Sequence, residues 1–128
     1  FGRPLLFAGF SFGSAVGMKV CCGDPRVAGL VALGLPTRAE GREYHYRFFP
    51  RCTQPKLFLS GARDQYGPRD EVTAVVATAP EPQRLVFIPD ADHFFVGQLD
   101  AMQATLSAWL EATFSLTRPR LSTGVNPT

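Results

Sequence analysis

The chain has 128 residues, 45% hydrophobic and 19% charged, with a formal net charge of +2 and a pI near 8.6. That is ordinary composition for one globular domain. The basic excess is too small and too scattered to argue for nucleic-acid binding, and no apolar run approaches the ~20 residues of a membrane helix.

The chain opens at Phe1 and reaches an apolar run by Pro4. That leaves no room for a signal peptide or a complete N-terminal fold, so a fragment is expected. Pro4-Leu5-Leu6-Phe7-Ala8-Gly9 reads as a short buried strand. Phe12 to Cys22 reads as a helix rich in small residues, with Gly17 placed for close packing. Gly23-Asp24-Pro25 breaks it, and Val27 to Leu33 is a second buried strand. Residues 36 to 54 form a loop or short excursion. Lys56 to Ser60 is a third strand, and Pro68 opens a helix reaching Thr78. Arg84 to Ile88 is a fourth strand. A last helix spans about Gly97 to Phe114, with Leu99, Met102, Leu106, Leu110 and Phe114 as its apolar stripe and Trp109 beside it. The tail from Thr117 onward is rich in Pro, Ser, Thr and Gly and is expected to be flexible. Apolar strands alternating with helices predict an α/β fold, a parallel sheet with helices on both faces.

Cys21, Cys22 and Cys52 make an odd set with two adjacent members, a poor disulfide framework and a poor metal clip. Reduced, structural cysteines and a cytoplasmic location are the expectation.

Gly9-Phe10-Ser11-Phe12-Gly13 is the strongest local signal. It follows a predicted strand and precedes a predicted helix, the setting of a serine on a strained strand-to-helix turn. Ser11 is the candidate nucleophile. The backbone N–H of Phe12 would face the developing oxyanion, aided by the helix N-terminus. Such a serine needs a base, and the base an orienting acid. His93 lies just beyond the fourth strand, where parallel-sheet enzymes place chemistry. His45, in the aromatic loop, reads as an ordinary loop histidine. Asp64 is the first carboxylate after the third strand, with a turn cap or a pairing with Arg63 or Arg69 as its plainer reading. Asp92 is a second candidate for the acid. Asp70 and Glu71 suit a first helical turn, and Asp90 a loop.

The order Ser, Asp, His along the chain is that of the α/β-hydrolases. More narrowly, GFSFGS, PKLFLSGARDQYGP and IPDADHFFVGQLDAM resemble a group of small bacterial α/β-hydrolases related to dienelactone hydrolases. The resemblance covers about residues 4 to 114. It implies that Ser11 attacks an acyl carbonyl, His93 moves the proton and Asp64 orients His93. It also implies about four further strands before the elbow, including the one whose loop donates the second oxyanion N–H. Residues 1–116 are then the C-terminal part of one domain, and 117–128 its tail. The true dienelactone hydrolases usually carry a cysteine nucleophile where this chain has serine.

Four arginines (38, 42, 47 and 51) and several aromatics occupy the loop from Arg38 to Arg51. A lid or a connection with aromatics folded onto the core is favoured over a nucleic-acid contact. Phe10 and Phe94 flank the proposed site and are candidate substrate-binding residues. No phosphate-binding loop, dinucleotide fingerprint or zinc spacing occurs, so neither cofactor nor metal is expected. The function expected is hydrolysis of a small-molecule carboxylic ester, with no nucleic-acid or membrane partner. The alternatives are a catalytically silent interaction module of the same fold, or a peptidase or thioesterase.

Overall fold

A strand apolar along its whole length needs cover on both faces, and the molecule supplies it for the strands at Gly29–Leu33 and Lys56–Gly61, whereas the first strand, expected to be buried, is only half covered. The computed structural model describes residues 5–39 and 41–114. In chain order the elements are β1 (Leu6–Phe10), α1 (Phe12–Cys21), β2 (Gly29–Leu33), β3 (Arg38–Ala39) and β4 (Arg42–Glu43). Then come β5 (Lys56–Gly61), α2 (Arg69–Val76), β6 (Gln83–Ile88) and α3 (Leu99–Phe114). β1, β2, β5 and β6 form one sheet in that order, every pair parallel. Successive side chains of a strand point to opposite faces. Leu30, Ala32 and Phe58 therefore meet Met18 of α1 and Val72 and Val76 of α2. Val31, Leu57 and Leu59 meet Trp109 of α3 on the other face. The expected α/β architecture, with helices on both faces, is the one observed.

Several boundaries differ from the sequence reading. β1 runs to Phe10 rather than Gly9, and Pro4 lies outside the described residues. β2 begins at Gly29, because the Val27 N–H is taken by the Asp24 carbonyl in a turn, at 3.0 Å. Leu99 is exposed and does not join the stripe of α3, whereas Trp109, placed beside that stripe, is its buried residue. Leu99 is the first residue of the helix, at the solvent-facing end of the loop before it. The tail expected from Thr117 onward also lies outside the described residues.

The segment between β2 and β5 is more ordered than a plain connection. β3 and β4 make a short antiparallel hairpin, followed by a single 3₁₀ turn at Phe49–Arg51. Its aromatics fold onto the core, as one sequence reading held. Phe49 is fully buried, 5.6 Å from Phe58 between ring centroids, and stacks on Tyr46 at 4.9 Å. The Tyr46 hydroxyl donates to the Pro36 carbonyl at 2.5 Å. No helix among the described residues is long and apolar enough to cross a membrane.

Among the described residues β1 forms an edge of the sheet and is half-buried. It packs against α1 through a close approach. A methyl group at Gly17 would lie 2.0 Å from Phe7 Cζ, so any side chain there would have to displace the Phe7 ring. At Gly13 the same methyl would meet no described heavy atom within 4 Å. Gly17→Ala should therefore lower unfolding stability by about 1–3 kcal/mol. Gly13→Ala should leave it unchanged or raise it by up to about 1 kcal/mol. Urea melts check both, and the Gly17→Ala loss should shrink in a Phe7→Leu background, since the two sites share one contact. Equal losses for the two glycines in the original background would remove this packing account.

Candidate active site

Ser11 stands between β1 and α1 with φ 55 and ψ −124, a conformation that residues with a Cβ avoid. Neighbouring backbone holds it there. Its N–H donates to the Leu33 carbonyl at 2.8 Å. Its carbonyl accepts the N–H groups of Ser14 and Ala15 and the Ser14 hydroxyl, at 2.9, 3.2 and 2.5 Å. Gly9 is needed for the turn, because a Cβ there would meet Gly13 O at 2.9 Å and Phe7 Cζ at 2.6 Å. Phe12 is the first residue of α1, so its N–H has no intrahelical acceptor.

The loop after β5 carries Asp64. Its Oδ1 accepts the N–H groups of Tyr66 and Gly67 at 2.8 and 3.0 Å, which fixes the plane of the carboxylate. Oδ2 then faces His93 Nδ1 at 2.8 Å. The loop after β6 carries His93, whose Nε2 lies 2.8 Å from Ser11 Oγ. Both Asp64 and His93 are buried, each 4% exposed. A carboxylate opposite Nδ1 requires the proton on that nitrogen, which leaves Nε2 to accept the Ser11 hydroxyl proton. A serine hydroxyl, an imidazole and a carboxylate in series is an arrangement capable of nucleophilic acyl transfer.

The other acids are engaged elsewhere. Asp92 Oδ1 accepts the N–H groups of Phe94 and Val96 at 3.0 and 3.1 Å, which makes it a local cap. Arg63 faces Asp90 at 3.3 Å rather than Asp64, and the Arg69 guanidinium lies 4.6 Å from the Phe87 ring centroid. Glu71 does more than complement a helix dipole. It pairs with the Arg38 guanidinium and accepts the Thr37 hydroxyl at 2.6 Å. Arg38 first, then Thr37, holds the Glu71 carboxyl below its ordinary range. His45 is exposed and faces Glu43 at 3.5 Å.

Aromatic rings surround the imidazole. Phe10, Phe94 and Tyr66 lie 5.2, 5.0 and 4.8 Å from His93 between ring centroids, and Phe10 lies 6.0 Å from Phe94. Phe10 and Phe94 are exposed, while Phe95 is buried against Ile88 and Ala91. The sequence reading missed Tyr66, two residues beyond Asp64, and Gly34, at the end of β2. A Cβ at Gly34, where φ is +64, would come within 3.4 Å of His93 Cε1. Arg42, named in that reading only among the arginines of the possible lid, has its guanidinium 4.8 Å from the centroid of the Phe12 ring. No local pattern marks Arg42, since a two-residue strand carries no periodicity.

The cysteines lie away from this chemistry. Cys21 and Cys22 sit at the C-terminal end of α1, with Ser11 at its N-terminus. Burial, then the neighbouring Cys22 thiol, pushes Cys52 up to about 12, which suits a structural thiol rather than a nucleophile. Among the described residues no group of three or more His, Cys, Asp or Glu is placed to hold a metal ion.

Comparison with known proteins bears on the family and the fold. A family model described as an alpha/beta hydrolase domain matches residues 1–117. No curated protein matches. Among solved structures, the chain is similar to a protein of unknown function from Agrobacterium tumefaciens, with 23% identity and a TM-score of 0.74, over 87% of this chain and 51% of that one. It is similar to the esterase domain of a Rhodothermus marinus protein, with 20% identity and a TM-score of 0.68, over 85% of this chain and 60% of that one. It is also similar to an alpha-beta serine hydrolase homologue from Coxiella burnetii, with 32% identity and a TM-score of 0.62, over 78% of this chain and 46% of that one. The chain thus spans roughly half the length of these structures (51%, 60% and 46%). With the family model matched over nearly the whole chain, on a parallel sheet with a strained serine after its first strand, the chain belongs to the alpha/beta hydrolase domain family.

Proposed function

We propose that this chain is a serine hydrolase that cleaves carboxylic esters through an acyl-enzyme on Ser11. The observation that carries the reading is the unbroken series Ser11 Oγ, His93 Nε2, His93 Nδ1, Asp64 Oδ2, with 2.8 Å at each junction. The likeness to the Coxiella burnetii serine hydrolase homologue supports it. The three motifs around Ser11, Asp64 and His93 further suggest a place near the dienelactone-hydrolase-like group. The three free cysteines suit a reducing compartment such as the cytoplasm.

The chemistry follows from the placement. Ser11 Oγ attacks the acyl carbonyl as its proton passes to His93 Nε2. Asp64 keeps Nδ1 protonated and stabilises the imidazolium. The Phe12 N–H, at the positive end of α1, donates to the oxyanion. Collapse of the tetrahedral intermediate breaks the bond to the alcohol, which leaves with the proton from His93. Water then gives its proton to His93 and attacks the acyl-enzyme, and acid and free Ser11 are released. Phe10 and Phe94 border the substrate on the His93 side.

Labelling with a fluorophosphonate tests the nucleophile without needing the natural substrate. The adduct should map to the peptide holding Ser11 and vanish in Ser11→Ala. An unlabelled Ser11 in a folded protein would favour the silent interaction module. Asp64→Asn should preserve the fold but lower kcat for p-nitrophenyl acetate by about 10⁴-fold, because the amide favours the wrong imidazole tautomer. A loss of less than about tenfold would remove Asp64 from the orienting role.

A further inference from the structure

The β3–β4 hairpin ties the two halves of the candidate site together. At one end, the N–H groups of Thr37 and Arg38 donate to the Tyr66 carbonyl at 2.8 and 3.0 Å, and Tyr66 packs on His93. The Arg38 guanidinium and Thr37 hydroxyl both hold Glu71 in the first turn of α2. At the other end, Arg42 lies over the ring of Phe12, the residue after Ser11. A cavity of about 310 Å³, lined by Arg38, Ala39, Gln65 and Tyr66, opens between the hairpin and the Asp64 loop.

The two hairpin arginines are not equivalent. Arg38 is neutralised by Glu71, whereas Arg42 meets no carboxylate among the described residues. The Arg42 guanidinium sits over the Phe12 ring, 4.8 Å from its centroid, an aromatic contact that takes up no carboxylate. Its N–H donors have no carboxylate partner among the described residues, and a planar anion can take two of them at once. The contact with the ring also restrains the long side chain, which lowers the ordering cost of binding. Direction follows from the mechanism. The departing alcohol must take its proton from His93, so it lies toward Phe10 and Phe94. The acyl chain then lies on the side of Ser11 away from His93, and the residue that follows Ser11 is Phe12, under Arg42.

We infer that Arg42 is a specificity-determining residue, and that the preferred substrates are esters whose acyl chain ends in a carboxylate, the half-esters of dicarboxylic acids. This rests on Ser11 being the nucleophile, as proposed above. Arg42 forms a paired hydrogen-bonded contact with the distal carboxylate while the ester carbonyl sits at Ser11. The contact is made in the Michaelis complex and kept through the acyl-enzyme, so its main effect is on KM.

The test compares mono-p-nitrophenyl adipate with p-nitrophenyl hexanoate, two acyl chains of equal length that differ in the terminal charge. The readout is the ratio of their kcat/KM values. The wild-type protein should favour the adipate, and raising the salt concentration should reduce that preference. Arg42→Met keeps an unbranched chain over Phe12 but removes the charge, and should lower the ratio by about tenfold or more, through KM. Arg42→Lys should restore part of the ratio, since it keeps the charge without the planar fork. A ratio unchanged in Arg42→Met, or a loss shared equally by both esters, overturns the inference. Ser11→Ala separates the two levels. If Ser11→Ala is inert and the Arg42→Met ratio matches wild type, only the role of Arg42 falls. If Ser11→Ala hydrolyses hexanoate as wild type does, or the wild type turns over neither ester, the hydrolase reading falls and this inference with it.

Discussion

Backbone hydrogen bonds continue one step beyond the strand ends, and the candidate site depends on them. The N–H of Ser11 reaches Leu33 O, that of Gly34 reaches Leu59 O, and that of Ala62 reaches Ile88 O, each at 2.8–3.0 Å. Because the four strands are parallel, all these ends lie along one border of the sheet. Each loop therefore starts from a position set by its neighbour. The loops after β5 and β6 approach more closely still. The Arg63 N–H donates to Ala91 O at 2.9 Å, and a Cβ at Gly61 would lie 2.3 Å from Asp92 O. That approach admits only glycine, and it brings His93 down onto Asp64.

The cost of this arrangement is concentrated where it is used. Among the described residues, the non-glycine positions with positive φ are Ser11, Asp90 and Phe95. Ser11 is the elbow itself, and the other two lie on either side of His93. Strain of this kind persists only where surrounding contacts over-determine the backbone. For Ser11 those contacts are the hydrogen bonds to Leu33, Ser14 and Ala15, and for Phe95 they are its burial beside Ile88 and Ala91. The buried Asp64 carboxylate would be costly if left without donors. It has three, from Tyr66, Gly67 and His93, and together they set its position as well as its solvation.

The segment between β2 and β5 serves two layers at once. Its later part, with Tyr46 and Phe49, fills the core beneath the sheet. Its earlier part crosses from the Tyr66 carbonyl to the ring of Phe12, and so borders both the Asp64 loop and the elbow. Arginines and aromatics alternate through this stretch, and composition does not say which of them turns inward. Burial separates them, with Phe49 enclosed and Arg38 paired to Glu71 on the surface.

Much was legible from the residues alone, because it depends on local periodicity. Continuous apolar runs marked the strands, small residues and Gly17 marked a closely packed helix, and G-x-S-x-G between strand and helix marked Ser11 as the elbow. The positions of Asp64 and His93 just past their strands followed from the same reasoning. What no local pattern holds is the choice of long-range partner. Ser11 and His93 are 82 positions apart, and only the parallel register places their side chains within 2.8 Å. Asp64 and Asp92 were both open as the carboxylate for His93. Each carboxylate spends one oxygen on two backbone N–H groups, Asp92 on Phe94 and Val96 and Asp64 on Tyr66 and Gly67, and the packing of the β5 and β6 loops sets the second oxygen of Asp64 against the imidazole. Leu99 and Trp109 exchanged places because burial depends on where α3 meets the sheet, not on the spacing of its apolar residues. Sequence by itself thus determined the elements and the types of side chain at their ends. Tertiary structure alone decided which of those side chains meet, because hydrogen-bond satisfaction and close packing are properties of the folded whole.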